Sequence, residues 1–452
     1  MSVDLGTARS AGLMAELAAT RRQAHHLTYY DPLTGLPNRR CFDQVICGII
    51  RGANPAFGLL VLDIDDLKIT NDTLGHVAGD RLIREVADHL RAVHEGVHVF
   101  RLSSDEFAVI DEECRHDGDL DGCARSILER LSKAAEVGEL RTSPQISIGG
   151  ALFGRDGMDG ATIRQNADLA LQKAKAVNRG GYVTYCPSLR AAIDRKVGQM
   201  NAVDQAIVDR RLLTYYQPLV RLDTRQLIGL EALTRMVTPA GSVLPAGGFQ
   251  EAFSDPAMAI RITDTMLTQV ARDVRSWIDA GIAFQHVGIN LSAADFERPD
   301  LERCITQAFC DAGVPLKHVI LEVTEAVLMD SVGAGIVDAI ERLRQQGMLV
   351  ALDDFGTGFA SLTHLLCFPV DIIKIDKSFI DGLLDDLPSE VIVEALIRIA
   401  ARLELKVVAE GVECEAQARK LEQMGCRLGQ GYLFGHPADA AETGKTLSAR
   451  AE

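Results

Sequence analysis

The sequence predicts two α/β domains in tandem, the second a (β/α)8 barrel with one antiparallel strand. Three observations predict it. The chain has 452 residues, more than one ordinary hydrophobic core accommodates. Residues 29–187 alternate strand-like and helix-like segments. Beyond residue 211, eight short β-rich runs recur, with helical stretches between the later ones. A composition of 47% hydrophobic and 24% charged residues suits well-packed domains.

In chain order, residues 8–28 read as one helix. Leu13, Leu17, Ala24 and Leu27 fit a heptad seam, with Thr20 its weak member. Either this is a short dimerising stalk, giving a homodimer, or the helix packs on its own domain. "FGLLVLDID" is a buried strand ending in acids, and "GDRLIREVADHLRAV" has helical periodicity. "VHVFRL" and "EFAVI" form a hairpin across a Ser-Ser-Asp tip. "ATIRQNADLALQKAKAV" is a further amphipathic helix. Residues 188–210 are polar and helical with no Gly/Pro linker, a connector stiff enough to transmit motion. The barrel is expected over 211–445, with strands near 213–220, 228–235, 286–290, 318–323, 349–353, 371–375, 406–410 and 427–434. "LDTRQL" joins the first two as a hairpin, which makes one strand antiparallel.

Bulk properties narrow the function. A net charge of -16 argues against non-specific nucleic-acid binding, so an anionic ligand needs a local cluster of Lys, Arg or metal. Ten cysteines are scattered without a CxxC pair, as in a reducing compartment. No apolar run reaches the ~18–20 residues of a membrane span, and "MSVDLGTARSAG" has no signal-peptide core. A cytoplasmic location is expected.

The chemistry shows in how the barrel strands finish. "GLEALTR" carries Glu231 and Arg235, "HVGIN" ends at Asn290, and "HVILEVTE" carries Glu322 and Glu325. "LVALDDFGTG" supplies Asp353 and Asp354, "DIIKID" Lys374 and Asp376, "KVVAEGVE" Glu410 and Glu413, and "LGQGYLF" Gln430. A lone acid at a strand end is more often a helix cap or a solvated loop residue. Six strands ending in Asn, Glu, Asp, Lys or Gln on one face are poorly explained that way. Converging carboxylates repel unless a cation neutralises them, and oxygen ligands suit Mg²⁺ or Mn²⁺. Asp353 and Asp354 could bridge two ions, an arrangement suited to in-line attack on a phosphodiester. Glu325 and Glu413 could simply orient loops, Arg235 could pair with a carboxylate instead of a substrate phosphate, and Asp376 reads as structural.

These motifs, with "NLS" and "QGYLFGHP", resemble an EAL domain, a phosphodiesterase of cyclic di-GMP, across about 200–440. The resemblance implies that Glu231, Asn290, Glu322 and Asp353 bind metal and that Asp354 joins a second metal. It implies that Lys374 holds or polarises water, Glu410 supports the metals or acts as base, and Gln430 positions water or substrate. Glu325 would brace the "DDFGTG" loop, and Gln217, Arg235 and Glu413 would meet substrate. The departures are small: "RM" stands for the frequent "RW", and Arg427 for a common Asp. The implied reaction is hydrolysis of cyclic di-GMP to linear pGpG, with the ribose 3′-oxygen leaving.

The first half resembles a GGDEF domain, the diguanylate cyclase module, through "DPLTGLPNRR", "DIDDLKITNDTLGHVAGD", "RLSSDEFAVI" and "ADLALQKAKAVNRG" over about 28–187. The resemblance implies metal carboxylates at Asp63 and Asp105 beside Glu106, a guanine-reading pair at Asn71 and Asp80, and phosphate ligands at Lys175 and Arg179. Two glycines of the motif are replaced by Ser103 and Ser104. Glycine tolerates φ > 0 and lets phosphate approach bare backbone. A strained serine there costs roughly 1–3 kcal/mol, or about ten- to hundred-fold in rate. An inhibitory RxxD would fall at His94 and Val97, so that product site looks absent. The expectation is a metal-dependent phosphodiesterase whose degenerate cyclase domain binds GTP with Mg²⁺ and regulates it. The alternatives are a bifunctional cyclase/phosphodiesterase and a non-catalytic cyclic di-GMP receptor.

Overall fold

The computed structural model describes residues 28–53, 55–93, 96–134, 144–177, 179–282, 284–325, 327, 334–356 and 368–449. The helix expected over 8–28 lies outside the described residues apart from its last position, and His94 lies outside them as well. The chain forms two compact units that divide between Asp194 and Arg195. The helix Pro187–Val208 carries that boundary and accounts for the connector expected over 188–210.

The first unit is built on β1 (Gly58–Ile64), β2 (Val97–Arg101), β3 (Glu106–Asp111), β4 (Ile146–Leu152) and β5 (Tyr182–Thr184), in the order β2-β3-β1-β4-β5. Central strand β1 is antiparallel to both neighbours. Its stretch Leu59–Leu62 reads as an unbroken apolar run because both of its faces are covered. Leu60, Leu62 and Ile64 pack with the helices His76–Arg91 and Asp117–Ala134, whereas Leu59 and Val61 pack with Arg39–Ile50 and Gly160–Val177. The hairpin β2–β3 is present, and its tip carries Ser103, Ser104 and Asp105.

The second unit is a closed barrel of eight strands: β6 (Leu212–Arg221), β7 (Leu227–Val237), β9 (His286–Leu291), β10 (Val319–Thr324), β11 (Leu349–Phe355), β12 (Ile372–Ile375), β13 (Lys406–Ala409) and β14 (Leu428–Gln430). Short strands β8 (Val243–Pro245) and β15 (Ala438–Asp439) flank it. Strand β6 is antiparallel to both β7 and β14, and the pairing β6–β7 closes the ring. The β-run expected over 427–434 is a strand only to Gln430. Gly431 then brings the backbone against Val412, where a β-carbon would stand 2.2 Å from the Val412 carbonyl oxygen.

The strand period places the site. Leu219, Ile320, Ala351, Ile372 and Val408 form their own apolar cluster inside the barrel. Side chains two residues apart share a face. The next inward residues are therefore Gln217, Glu322, Asp353, Lys374 and Glu410. On β7, β9 and β14 the same layer supplies Glu231, Asn290 and Gln430. The barrel interior has an apolar layer capped by a polar one at the carboxyl ends of the parallel strands.

Candidate active site

One cation organises this polar layer. The buried Lys374 Nζ lies 2.6 Å from Glu410, 2.8 Å from Glu322, 3.2 Å from Asp353 and 3.4 Å from Glu231. Burial works against the ammonium charge, but Glu231, Glu322, Glu410 and Asp353 outweigh it, and its pKa stands well above the ordinary lysine value. The acids respond unequally. Burial pushes Glu322 well above its usual range, aided by Glu231 and Asp353, despite Lys374. Burial likewise lifts Glu410 to about 8. Glu231 is held low. Burial opposes its charge, but Lys374 and hydrogen bonds from Gln430 (2.5 Å) and Asn290 (3.0 Å) more than compensate. One ammonium thus faces more carboxylates than it neutralises.

That surplus is the test of fit for a divalent cation, and the donor set passes it. Carboxylate oxygens of Glu231, Glu322 and Asp353 lie within 4.8 Å of one another, as do those of Asp353, Asp354 and Glu410, so Asp353 belongs to both groups. Hard oxygen donors in two adjoining triads suit Mg²⁺ or Mn²⁺. Asn290 donates through Nδ2 to Glu231, which leaves its amide oxygen for a cation.

Neighbouring strand residues normally point to opposite faces, so Asp353 and Asp354 could not both serve one mouth in a regular strand. A β-bulge removes the obstacle. Leu352 pairs with Ile373 and Phe355 with Ile375, so β11 carries one extra residue there. Asp354 takes up the distortion at φ 53°, a left-handed conformation that is costly for a non-glycine residue. Burial, with Asp353 and Asp376, raises its pKa. Glu325 braces the following turn by accepting from the Gly356 N–H at 3.2 Å. Residues 357–367 lie outside the described residues.

Around the carboxylates opens a mouth of about 310 Å³, lined by Gln217, Asp354, Lys377, Glu413, Gln430 and Tyr432 among others. Gln217 accepts from Gln430 Nε2 at 3.1 Å and donates to the Gly435 carbonyl at 3.2 Å. Glu413 pairs with Lys377 at 2.5 Å. Arg235 donates to the Thr234 carbonyl, and among the described residues no carboxylate pairs with it directly. Asp376 caps the helix Lys377–Asp381 by accepting from the Ser378 N–H, a structural role. Lys377 and Tyr432 were not singled out from the sequence. Tyr432 is 54% exposed, lies tilted against the His436 ring with centres 4.2 Å apart and has the Lys377 ammonium 5.8 Å from its ring centre. The aromatic inside the "LGQGYLF" motif that carries Gln430 was the available signal.

In the first unit, Asp63 is paired with Lys175 at 2.6 Å, and burial, with Asp105 and Asp65, raises its pKa against that lysine. Glu106 lies 3.7 Å from Arg164, and burial raises it too. Arg179 pairs with Asp66 at 2.7 Å. Asn71 lies against Gly79, where a β-carbon would stand 2.0 Å from its Oδ1, and Asp80 is the next residue in the chain. The strain expected at Ser103 and Ser104 is absent, since neither has positive φ. The tip is instead held by new bonds. Both hydroxyls donate to Asp105, at 3.4 and 2.8 Å, and Arg101 donates to both serine carbonyls.

The family "EAL domain" matches residues 200–437, and "Diguanylate cyclase, GGDEF domain" matches residues 28–180. The "Bifunctional diguanylate cyclase/cyclic di-GMP phosphodiesterase MucR" of Pseudomonas aeruginosa is 34% identical over 439 residues, 96% of this chain and 64% of that protein. The "Cyclic di-GMP phosphodiesterase NbdA" of the same species is 31% identical, over 98% of this chain and 57% of that one. The chain thus spans less than two thirds of the length of these relatives. Among solved structures, "PaMucR Phosphodiesterase, c-di-GMP complex" is similar at TM-score 0.52 and 34% identity, over 54% of this chain and 99% of that one. "Structure of EAL Enzyme Bd1971 - cAMP and cyclic-di-GMP bound form" follows at 0.55 and 26%, over 76% and 82%. The polar layer of the barrel and these matches agree: the chain belongs to the EAL domain family, with a GGDEF domain preceding the EAL domain.

Proposed function

We propose that the barrel hydrolyses cyclic di-GMP to linear pGpG. The observation that carries this reading is the pair of adjoining carboxylate triads gathered around Lys374 at one end of the barrel. The activities in the names of MucR and NbdA support it. Magnesium or manganese, held by Glu231, Asn290, Glu322 and Asp353 and by Asp353, Asp354 and Glu410, would supply Lewis acidity and lower the pKa of water. Lys374 steadies the acids and holds the attacking water. Glu410, beside Lys374 and the second triad, takes the proton of that water. Attack on phosphorus breaks the bond to the ribose 3′-oxygen, which takes up a proton from solvent and leaves as a hydroxyl. Gln217, Gln430 and Arg235 position the substrate, and Tyr432 offers a ring face to a base. Base–aromatic stacking is worth about 1–3 kcal/mol. Glu325 holds the turn at Gly356, and Glu413 orients Lys377 toward the mouth.

The first unit is a GTP site with little or no cyclase activity. Asn71, Asp80, Lys175 and Arg179 would hold the nucleotide, and Asp63, Asp105 and Glu106 its Mg²⁺. The serine hydroxyls compete for Asp105, and their β-carbons crowd the tip. GTP bound there would tune the barrel through the helix Pro187–Val208. Chromatography of cyclic di-GMP digests with and without GTP tests both claims, with Glu231→Ala as control. An Asn290→Ala background incubated with GTP and Mg²⁺ exposes any residual synthesis.

A further inference from the structure

Below the carboxylates, between the polar and apolar layers of the barrel, lies an internal cavity of about 20 Å³. That is room for one water, which needs roughly 10–15 Å³ measured in this way. Its walls include His286, Gly288, Glu322 and Lys374. His286 is buried, and its Nε2 has no hydrogen-bond partner among the described residues. A buried polar atom left so costs about 1–3 kcal/mol.

Gly288 lines this space, and Gly229 on the adjoining strand makes room for the imidazole at its wall. Gly229 pairs in register with His286, and a β-carbon there would stand 2.7 Å from His286 Nε2. Gly288 pairs with Glu231, and a β-carbon there would stand 1.9 Å from Glu322 Oε1. The glycines therefore clear room for one imidazole and one carboxylate oxygen. The other Glu322 oxygen, Oε2, is committed to Lys374.

We propose that this cavity holds one resident water, which accepts from His286 Nε2–H and donates to Glu322 Oε1. His286 is then a positioning residue. It fixes the rotation of the Glu322 carboxylate from below, so that the opposite oxygen faces the cation side. The inference rests on the reading of Glu322 as a cation ligand.

Two measurements test it. Calorimetric titration of the full chain with Mn²⁺, without dinucleotide, compares wild type with His286→Leu and His286→Gln. The leucine variant should bind Mn²⁺ about tenfold more weakly, while glutamine, which keeps an N–H at a similar reach, should stay within about twofold of wild type. A crystal structure of the unaltered chain should show a water between His286 Nε2 and Glu322 Oε1. Unchanged Mn²⁺ affinity in His286→Leu, or a dry cavity, overturns the inference. If wild type itself fails to bind Mn²⁺, the cation reading fails. The crystal then decides the water alone, and a dry cavity still overturns it.

Discussion

Lys374 shows how much a single charge can organise. Three of its four carboxylate neighbours, Glu231, Glu322 and Asp353, are buried with it, and removing one member of such a cluster costs about 3–5 kcal/mol because the remaining charges stay uncompensated. Lys374→Met should therefore lower ion-free stability by about that amount in urea unfolding. Mn²⁺ should raise the thermal midpoint of this variant more than that of wild type, since the added cation replaces the lost one. Equal stability of the two ion-free proteins would argue that the acids are held apart some other way. His286 makes a separate prediction in pH. Burial, with Lys406 and His318 nearby, depresses its pKa from 6.5 to about 4. Above pH 6.5 the group is neutral folded or unfolded and contributes no pH dependence. As pH falls toward 4, the unfolded chain takes up a proton that the folded chain refuses, so stability is lost over that window by about 3 kcal/mol. The difference in unfolding free energy between wild type and His286→Gln, measured at pH 7.5 and at pH 4.5, should shift in favour of the variant at the lower pH.

Two elements carry the geometry of the mouth. The bulge in β11 turns both Asp353 and Asp354 toward it, at the cost of a left-handed aspartate. Asp354→Gly should relieve about 1 kcal/mol of backbone cost and raise the ion-free thermal midpoint, while cyclic di-GMP hydrolysis falls. If stability fell as well, the conformation at Asp354 would not be a source of strain. The other element is the hairpin tip of the first unit. Its serines sit without positive φ, bonded to Asp105 and clamped through Arg101. Replacing both by glycine in the Asn290→Ala background should raise synthesis of cyclic di-GMP from GTP by about tenfold or more, read by chromatography. An unchanged rate would show that the serines do not limit synthesis.

At the scale of the whole molecule, the barrel strands and their terminal acids were legible because the period of two is strict wherever one face is buried. Ile320 and Glu322, Ala351 and Asp353, and Ile372 and Lys374 each follow it, so the polar layer could be read from spacing. The bulge could not be, because "DD" looks the same in a regular strand, and the extra residue appears only in the pairing with β12. Lys377 and Tyr432 escaped notice because each lies just past a strand end, where no periodicity operates. The left-handed glycine geometry expected at the serine tip failed for a local reason: serine side chains offered the turn alternative hydrogen bonds. A shift in the affinity or rate of the barrel for cyclic di-GMP on adding GTP is the expected sign that the first unit speaks to the second.

The most direct measurement is chromatography of cyclic di-GMP incubated with the full chain and Mg²⁺ or Mn²⁺. Wild type should yield linear pGpG, none should form with a chelator, and Glu231→Ala should lose at least about a hundredfold in rate. Intact dinucleotide after incubation with saturating metal, or turnover that persists undiminished in Glu231→Ala, would contradict the proposed hydrolysis.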